Sequence, residues 1–347
     1  MSLKNSIILF GGQSEERLVS VASAQNLALK LEVHAFWFLD QKLKVYNISK
    51  EELLAHPNAF TEQFVPKVSP LTQNLSEALP LMKGKNIILS MHGDEGENGT
   101  LQDFFGQNNI AYTGSNPEAS RLAFDKKATK NVLEKEKIPV ALDITLSSID
   151  ASFEKQVRDF SKKFDHHIVV KPTASGSSVG LFIIHSEEDL NLCLKKIKSG
   201  SATTYIAENF LEGRELTIGV WQSPQGITAL PASEVVVQKG KNFDYLGKYL
   251  GDGVKELTPA PLDPPVAKQC QDLAVKVHLA IGCEGYTRTD MILTKSGPIV
   301  LEINTLPGLS KSSFIPQQLA CINVSLKDFF EQQVKLANIR LEKMGIN

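Results

Sequence analysis

Apolar positions along this chain recur at two spacings, and the change from one to the other marks its elements. Ile7, Ile8, Leu9 and Phe10 run without a break, as a strand buried on both faces does. After the turn Gly11-Gly12-Gln13-Ser14, apolar residues return every three or four positions at Leu18, Val21, Ala22, Ala24, Leu27, Ala28 and Leu31, which predicts a helix over 15–30. A second strand is predicted over 33–39, so the chain opens as β-loop-α-β, the start of a doubly wound parallel-sheet domain. Residues 42–85 carry weak periodicity and scattered prolines, and are read as a variable connection with one or two short elements. Strands over 86–91 and 109–113 complete a first unit, 1–115.

A second unit, 116–208, reads as a charged helix over 125–137, then strand 142–146, helix 151–163, strand 168–171, strand 181–184, helix 187–198 and strand 203–208. The third unit, 209–347, opens with strands over 214–221, 226–230 and 232–237. Residues 239–264 show no period and are rich in Gly, Pro and charge; an irregular stretch of that length is often an active-site lid. A helix over 265–281, a hairpin over 284–304 and helices over 313–320 and 326–342 finish the α/β chain.

The hairpin concentrates the chemistry. Folded about Ser296, with Gly297 supplying the turn's positive φ, it sets Asp290 opposite Glu302 and Arg288 opposite Asn304. Strand alternation puts these four on one face and Met291, Leu293, Ile299, Leu301 and Ile303 on the other, toward a core. A bulge at Gly297 would move the pairing by one residue; the alternation argues for the register given. Two carboxylates face to face repel, so a cation belongs between them. Asp, Glu and Asn offer the hard oxygens that Mg²⁺ takes when it also holds phosphates. A surface hairpin in which Arg288 merely neutralises Asp290 is the other reading. The turn that follows, Thr305-Leu306-Pro307-Gly308-Leu309-Ser310, exposes backbone N–H groups suited to an anion.

Composition narrows the classes. At 347 residues the chain has room for two or three domains, and 42% hydrophobic with 22% charged residues describes a globular protein. The formal net charge of −2 gives no basic field for nucleic acid. The 4 cysteines, Cys193, Cys270, Cys283 and Cys321, are scattered, which speaks against a disulfide framework or zinc site and for a reducing, cytoplasmic setting. Ile7–Phe10 is too short for a signal peptide's apolar core, and no apolar run approaches the ~20 residues of a membrane span.

Two further loops are candidates, each with a plain alternative. His92-Gly93-Asp94-Glu95-Gly96-Glu97-Asn98-Gly99-Thr100 follows a strand's C-terminal end, where open α/β sheets bind ligands; it reads equally as a surface loop, and His92 as a structural histidine. Pro172-Thr173-Ala174-Ser175-Gly176-Ser177-Ser178-Val179-Gly180 joins two strands and can fold its N–H groups over phosphate, with Lys171 adding charge, or be a bare hairpin turn. It is not a Walker A loop, and the first strand lacks the G-x-G-x-x-G of a nicotinamide-dependent oxidoreductase.

In order, these motifs form a pattern: 11–20, His92-Gly93 with 96–102, Tyr112-Thr113-Gly114-Ser115, Asp125-Lys126, Val170-Lys171-Pro172, 176–180, Lys248-Tyr249, 285–290 and 302–308. Over nearly the whole chain this closely resembles the D-alanine–D-alanine ligases of the ATP-grasp superfamily. The resemblance implies three α/β domains, with ATP gripped between the second and third, and ATP-dependent joining of two D-alanines for peptidoglycan precursors. It implies two Mg²⁺ ions, with Mn²⁺ as a substitute, held by Asp290, Glu302 and Asn304, and a homodimer. Lys126 and Lys171 would contact ATP phosphates, closed over by Gly176, Ser178 and Val179. Glu208, Asn209 and Leu211 would line the adenine hinge, Glu215 would take the ribose hydroxyls, and Lys248 would join the nucleotide site. Glu16 would bind the first amine, in a triad with Ser177 and Tyr249. Arg288 and the Gly308 N–H would form the oxyanion hole. His92, Ser313 and Phe314 would border the substrates. The sequence departs from the family pattern with Asn98 where Asp is common, Asn209 where a charge is frequent, and Ser310–Phe314 where Thr-x-x-Ser-Leu is usual. The same scaffold could join D-alanine to D-lactate or D-serine, or bind nucleotide without turnover.

Overall fold

The computed structural model describes residues 3–174, 180–200, 202–237 and 254–343. Its first sheet has the order β3-β2-β1-β4-β5, from β1 (Ser6–Gly11), β2 (Ala35–Leu39), β3 (Val45–Ile48), β4 (Asn86–Leu89) and β5 (Ala111–Tyr112). Four of these strands run parallel; β3, from the stretch read as a variable connection, pairs antiparallel with β2 and makes the sheet mixed. Every residue of β1 is buried, as its unbroken apolar run requires. Helix α1 (Arg17–Lys30) begins two residues later than the periodicity suggested, with Glu16 as its N-cap. Between β1 and β4 the chain also forms α2 (Lys50–Leu54) and α3 (Leu79–Met82); α4 (Asp94–Glu97) and α5 (Thr100–Gln107) follow β4.

After α6 (Pro117–Phe124) and α7 (Lys126–Lys135), β6 (Asp143–Ser147), β7 (Ile168–Pro172), β8 (Phe182–Ile184) and β9 (Thr204–Asn209) form an antiparallel sheet ordered β6-β9-β7-β8. Helices α8 (Phe153–Lys163) and α9 (Glu187–Lys198) cover its apolar face. The third sheet runs β13-β12-β10-β14-β15, with β11 also on β10: β10 (Arg214–Ser223), β11 (Gly226–Ala229), β12 (Ser233–Val237), β13 (Val254–Leu257), β14 (Tyr286–Thr294) and β15 (Gly297–Asn304). The expected lid 239–264 is therefore not irregular throughout: its described end carries β13, and α10 (Pro264–Ala280) starts at its last residue. Most of that segment lies outside the described residues. Helices α11 (Phe314–Cys321) and α12 (Leu326–Lys343) close the chain.

The hairpin β14–β15 keeps the predicted pairs Arg288–Asn304 and Asp290–Glu302, but its register shifts between Asp290 and Met291, so that Met291 faces Val300. Leu301 is the extra residue, and the bulge lies there rather than at Gly297. Beyond it the faces exchange: Val300 and Pro298 are buried, while Leu301 and Ile299, expected in the core, are half-buried. A bulge aims side chains as well as disrupting a ladder, and this one lets the acidic end of the hairpin face a cleft while the tip packs on α10.

Three apolar cores result. Leu133 and Ile138 place α7 and the strand-like connection after it in the core of the third sheet, with Ile218, Val277 and Met291. The β6–β9 sheet has its own core around Phe160, Val170 and Leu194. The first core takes in β1 and α1 and also Tyr286, Leu309, Phe329 and Phe330 from the chain's last third.

Candidate active site

One cavity gathers many of the described residues that the sequence singles out. Glu16, His92, Glu215, Arg288, Asp290, Glu302, Asn304, Gly308, Ser313 and Phe314 all line it. The hairpin supplies its floor. Arg288 donates from Nε and Nη2 to the two carboxylate oxygens of Asp290, at 2.9 and 2.8 Å. Asp290 also accepts from Thr217 Oγ1 and, at 3.3 Å, from Asn304 Nδ2. With its nitrogen so committed, Asn304 offers its oxygen as a ligand. Glu302, across from Asp290, has the Lys126 ammonium at 3.6 Å. Arg288 thus pairs with Asp290, and the whole set faces a cavity rather than bulk water. The Arg288 guanidinium is 6.0 Å from the Phe314 ring centre, a second restraint on its direction.

The two loops of the first unit form the opposite wall. A Cβ on Gly93, whose φ is +70°, would lie 2.3 Å from Ser14 Oγ and 2.9 Å from Glu16 Oε2, so only glycine lets the loops meet. Gln13 N–H donates to Glu95 Oε1 at 2.7 Å and locks the same contact. His92 is buried, with both ring nitrogens engaged. Nδ1 donates to the Leu306 carbonyl at 2.8 Å, so Nε2, 2.9 Å from Ser23 Oγ, accepts from that hydroxyl in the neutral ring. Burial lowers its pKa below the usual histidine range. His92 therefore borders the cavity as the pin between α1 and the 305–310 turn, and has no ring nitrogen left for a substrate. At the end of that turn, Ser313 Oγ accepts from Ser310 N–H at 3.1 Å and would meet a Cβ on Gly308 at 2.6 Å.

The walls are acidic. Among the described residues that line the cavity, Glu16, Glu97, Glu215, Glu256, Asp290 and Glu302 bring six carboxyl groups and Arg288 one guanidinium. Burial first, and then the nearby Glu16 carboxylate, push the Glu97 carboxyl up to about 8. An acidic lining of this kind favours cations over anions. Glu97 and Glu256 were not singled out from sequence. Glu97 falls within a sequence motif that gives it no role. Glu256 lies on β13, in the segment read as irregular, and donation from Gln317 Nε2 at 2.9 Å orients its carboxylate; no periodicity announced it.

Beside this cavity lie the lysines. Lys171 is buried with its ammonium 2.6 Å from Glu208 Oε2. Burial opposes its charge, but Glu208 and Glu302 outweigh that and hold its pKa above the ordinary lysine value. The Lys126 N–H donates to Thr173 O at 2.9 Å, tying the start of α7 to the entrance of the Gly/Ser loop. Glu208 does not present an open carboxylate, since Lys130 also holds it, at 2.7 Å. Asn209 clasps the connection before β6: its N–H donates to Leu142 O at 3.1 Å, and its Oδ1 accepts from Leu142 N–H at 2.8 Å. Leu211 follows on the same crossing, half-buried. Gly176, Ser177, Ser178, Val179, Lys248 and Tyr249 lie outside the described residues. Among the described residues no group of three or more His, Cys, Asp or Glu forms a metal cage, and no helix is long and apolar enough to cross a membrane. Asp290, Glu302 and Asn304 offer two carboxylates and an amide oxygen, a donor set that suits Mg²⁺ when substrate phosphates supply the rest.

Two family models match this chain. One, described as the D-ala D-ala ligase N-terminus, covers residues 5–115; the other, the D-ala D-ala ligase C-terminus, covers residues 132–335. The chain belongs to the D-alanine–D-alanine ligase family. It is 31% identical over 337 residues to the D-alanine–D-alanine ligase of Leptospira biflexa, covering 93% of this chain and 95% of that protein. The solved D-alanine–D-alanine ligase from Coxiella burnetii superposes with a TM-score of 0.77 at 23% identity, over 98% of this chain and 96% of that one. The VanG D-Ala:D-Ser ligase from Enterococcus faecalis superposes with a TM-score of 0.78 at 25% identity, over 97% of this chain and 100% of that one. The fold is accordingly the ATP-grasp architecture of these ligases, and the family serves peptidoglycan synthesis.

Proposed function

We propose that this ligase joins two molecules of D-alanine with hydrolysis of ATP to ADP. The observation that carries the reading is the acidic cavity with Arg288 at its floor and Lys126 and Lys171 at its side. The units proposed are 1–115, 116–208 and 209–347, with nucleotide between the last two. Lys126 and Lys171 would neutralise phosphate oxygens. Asp290, Glu302 and Asn304 would hold Mg²⁺, which when bound screens the triphosphate's charge.

The first D-alanine would enter with its ammonium toward Glu16 and Glu97. Its carboxylate would take the γ-phosphoryl group, becoming an acyl phosphate. The second amine would attack that carbonyl, the tetrahedral oxyanion would be met by Arg288 and the Gly308 N–H, and its collapse would break the C–O bond to phosphate, which leaves as the amide forms. For Arg288 this means turning part of its fork from Asp290, whose carboxylate would then be one of the groups that hold the metal. Glu215 would meet the ribose, and the Ser313 hydroxyl the second carboxylate. D-Serine as second substrate is a second reading. It is favoured by the likeness to the D-Ala:D-Ser ligase and by the hydroxyls of Ser312 and Ser313 in the cavity wall.

The test is phosphate release from MgATP with D-alanine alone, and with D-alanine plus D-serine or D-lactate, followed by product analysis. D-Alanyl-D-alanine is expected as the main product. No release with D-alanine, or none in excess of that with L-alanine, would overturn the reading.

A further inference from the structure

Lys130 belongs to none of the motifs above, yet it is among the few lysines buried in the described residues, at 2% exposure. Its ammonium has three acceptors, one for each N–H: Ala141 O at 2.7 Å, Glu208 Oε1 at 2.7 Å and Asp143 Oδ1 at 3.2 Å. Each carboxylate has a second lysine on its other oxygen. Lys171 Nζ is 2.6 Å from Glu208 Oε2, and Lys127 Nζ is 2.8 Å from Asp143 Oδ2. The groups form one chain, Lys127–Asp143–Lys130–Glu208–Lys171, with three positive and two negative charges.

Strand alternation explains why they meet. Asp143 and Glu208 are register partners in β6 and β9, and Lys171 on β7 is diagonal to Glu208 on the same face. The opposite face, with Ile144, Val170 and Ala207, packs into the sheet's own apolar core. Lys130 comes from elsewhere. It lies on α7, whose Leu133 is buried in the core of the third sheet. The ion chain therefore crosses the seam between two separately packed bodies, at the point where Asn209 and Leu142 clasp the connecting segments.

We infer that Lys130 is a positioning residue for nucleotide binding: by sharing Glu208 it keeps the charge of Lys171 available to phosphate, and it ties that availability to the seam between the two bodies. Without Lys130, Glu208 has one cation in place of two, and its whole charge falls on the Lys171 ammonium already 2.6 Å away. With Lys130 in place, Glu208 is shared between two ammonium groups and the chain carries one net positive charge. The inference rests on the proposed contact of Lys171 with ATP phosphates.

The experiment measures binding of ADP and of adenosine to the full chain by calorimetry, and KM for ATP and for D-alanine. Lys130→Met should weaken ADP by about tenfold or more, the effect of one lost charge in a partly buried site. Adenosine affinity and the D-alanine KM should stay within about twofold. Asp143→Asn frees Lys130 for Glu208 and should leave ADP affinity unchanged or raise it. The double variant, Lys130→Met with Asp143→Asn, restores charge balance and so recovers stability, but should still bind ADP as weakly as the single variant. Recovery of ADP affinity together with stability would reduce Lys130 to a structural residue and overturn the inference, as would equal losses of ADP and adenosine. Lys171→Met is the control for the underlying reading. If it leaves ADP affinity intact, the phosphate contact itself is wrong; if it weakens ADP while Lys130→Met does not, only the inference falls.

Discussion

Asp290 and Glu302 face each other across a hairpin whose other side is a core; Arg288 balances the first and Lys126 lies by the second, and the pair still offers hard oxygens to a divalent cation. Glu302→Gln keeps the shape and removes one charge from that pair. It should lower turnover at least about tenfold at ordinary magnesium, with excess metal restoring part of it; an unchanged magnesium dependence would remove Glu302 from the metal site. Arg288→Met should lower kcat by roughly 10²–10³, the usual cost of an oxyanion donor, and leave ATP binding near wild type. A matching loss of ATP affinity would make Arg288 a nucleotide contact instead. Glu97 gives a pH signature. Its unfolded carboxyl ionises near ~4.3, the folded one at about 8. Below the first value both states hold the proton. Between the two, only the unfolded state has released it, so this group's contribution to stability falls as pH rises through the window and levels off above it. Glu97→Gln cannot ionise, so its melting temperature relative to wild type should be higher at pH 8 than at pH 5; equal differences at the two pH values would show that Glu97 is ionised in the fold. Arg288, Asp290, Glu302 and Asn304 were legible because a period of two put four polar groups on one face. Glu97 has no legible role in the sequence, since a sequence does not show how deeply a loop carboxyl is enclosed.

Among the elements, the β14–β15 hairpin shows what a hydrophobic pattern can and cannot settle. Ile299, Val300 and Leu301 are all apolar, so either register leaves an apolar residue facing the core, and the bulge at Leu301 leaves no trace in the pattern. The polar residues of the acidic end allow one register only, and there the expectation held. The strand β13 was missed because its apolar ends, Val254 and Leu257, flank the charged Lys255 and Glu256. Its place in the sheet comes from pairing with β12 across a long connection. The turn after β15 carries its own test. Gly308→Ala would drive a methyl against Ser313 Oγ, where the present spacing to a built Cβ is 2.6 Å. Activity should fall by roughly tenfold or more, with little change in melting temperature, because the hydroxyl it displaces is a cavity wall and not a core residue. A variant with normal KM for both D-alanines would show that the close approach of Gly308 and Ser313 is incidental.

At the scale of the molecule, the last helix is part of the first sheet's packing. Phe329 and Phe330 of α12 are fully buried in the core that β1 and α1 begin, and Arg340 donates to Tyr112 O and, at 2.8 Å, to Gly114 O at the end of β5. Phe330→Ala should cost about 3–5 kcal/mol, and chemical denaturation should show the first unit weakened although the substitution lies more than 200 residues away in sequence. Loss confined to the third unit would contradict that packing. The shared core also has a consequence for how the protein is made. A ribosome that has just released β5 must still synthesise the stretch up to Leu326, at ~5–20 residues per second. For roughly 10–40 s the nascent first sheet presents to the cell the apolar surface that α12 will later cover. During translation this ligase is therefore a client for whatever shields such surfaces, and slowing elongation before the last helix should raise the aggregated fraction of newly made chains.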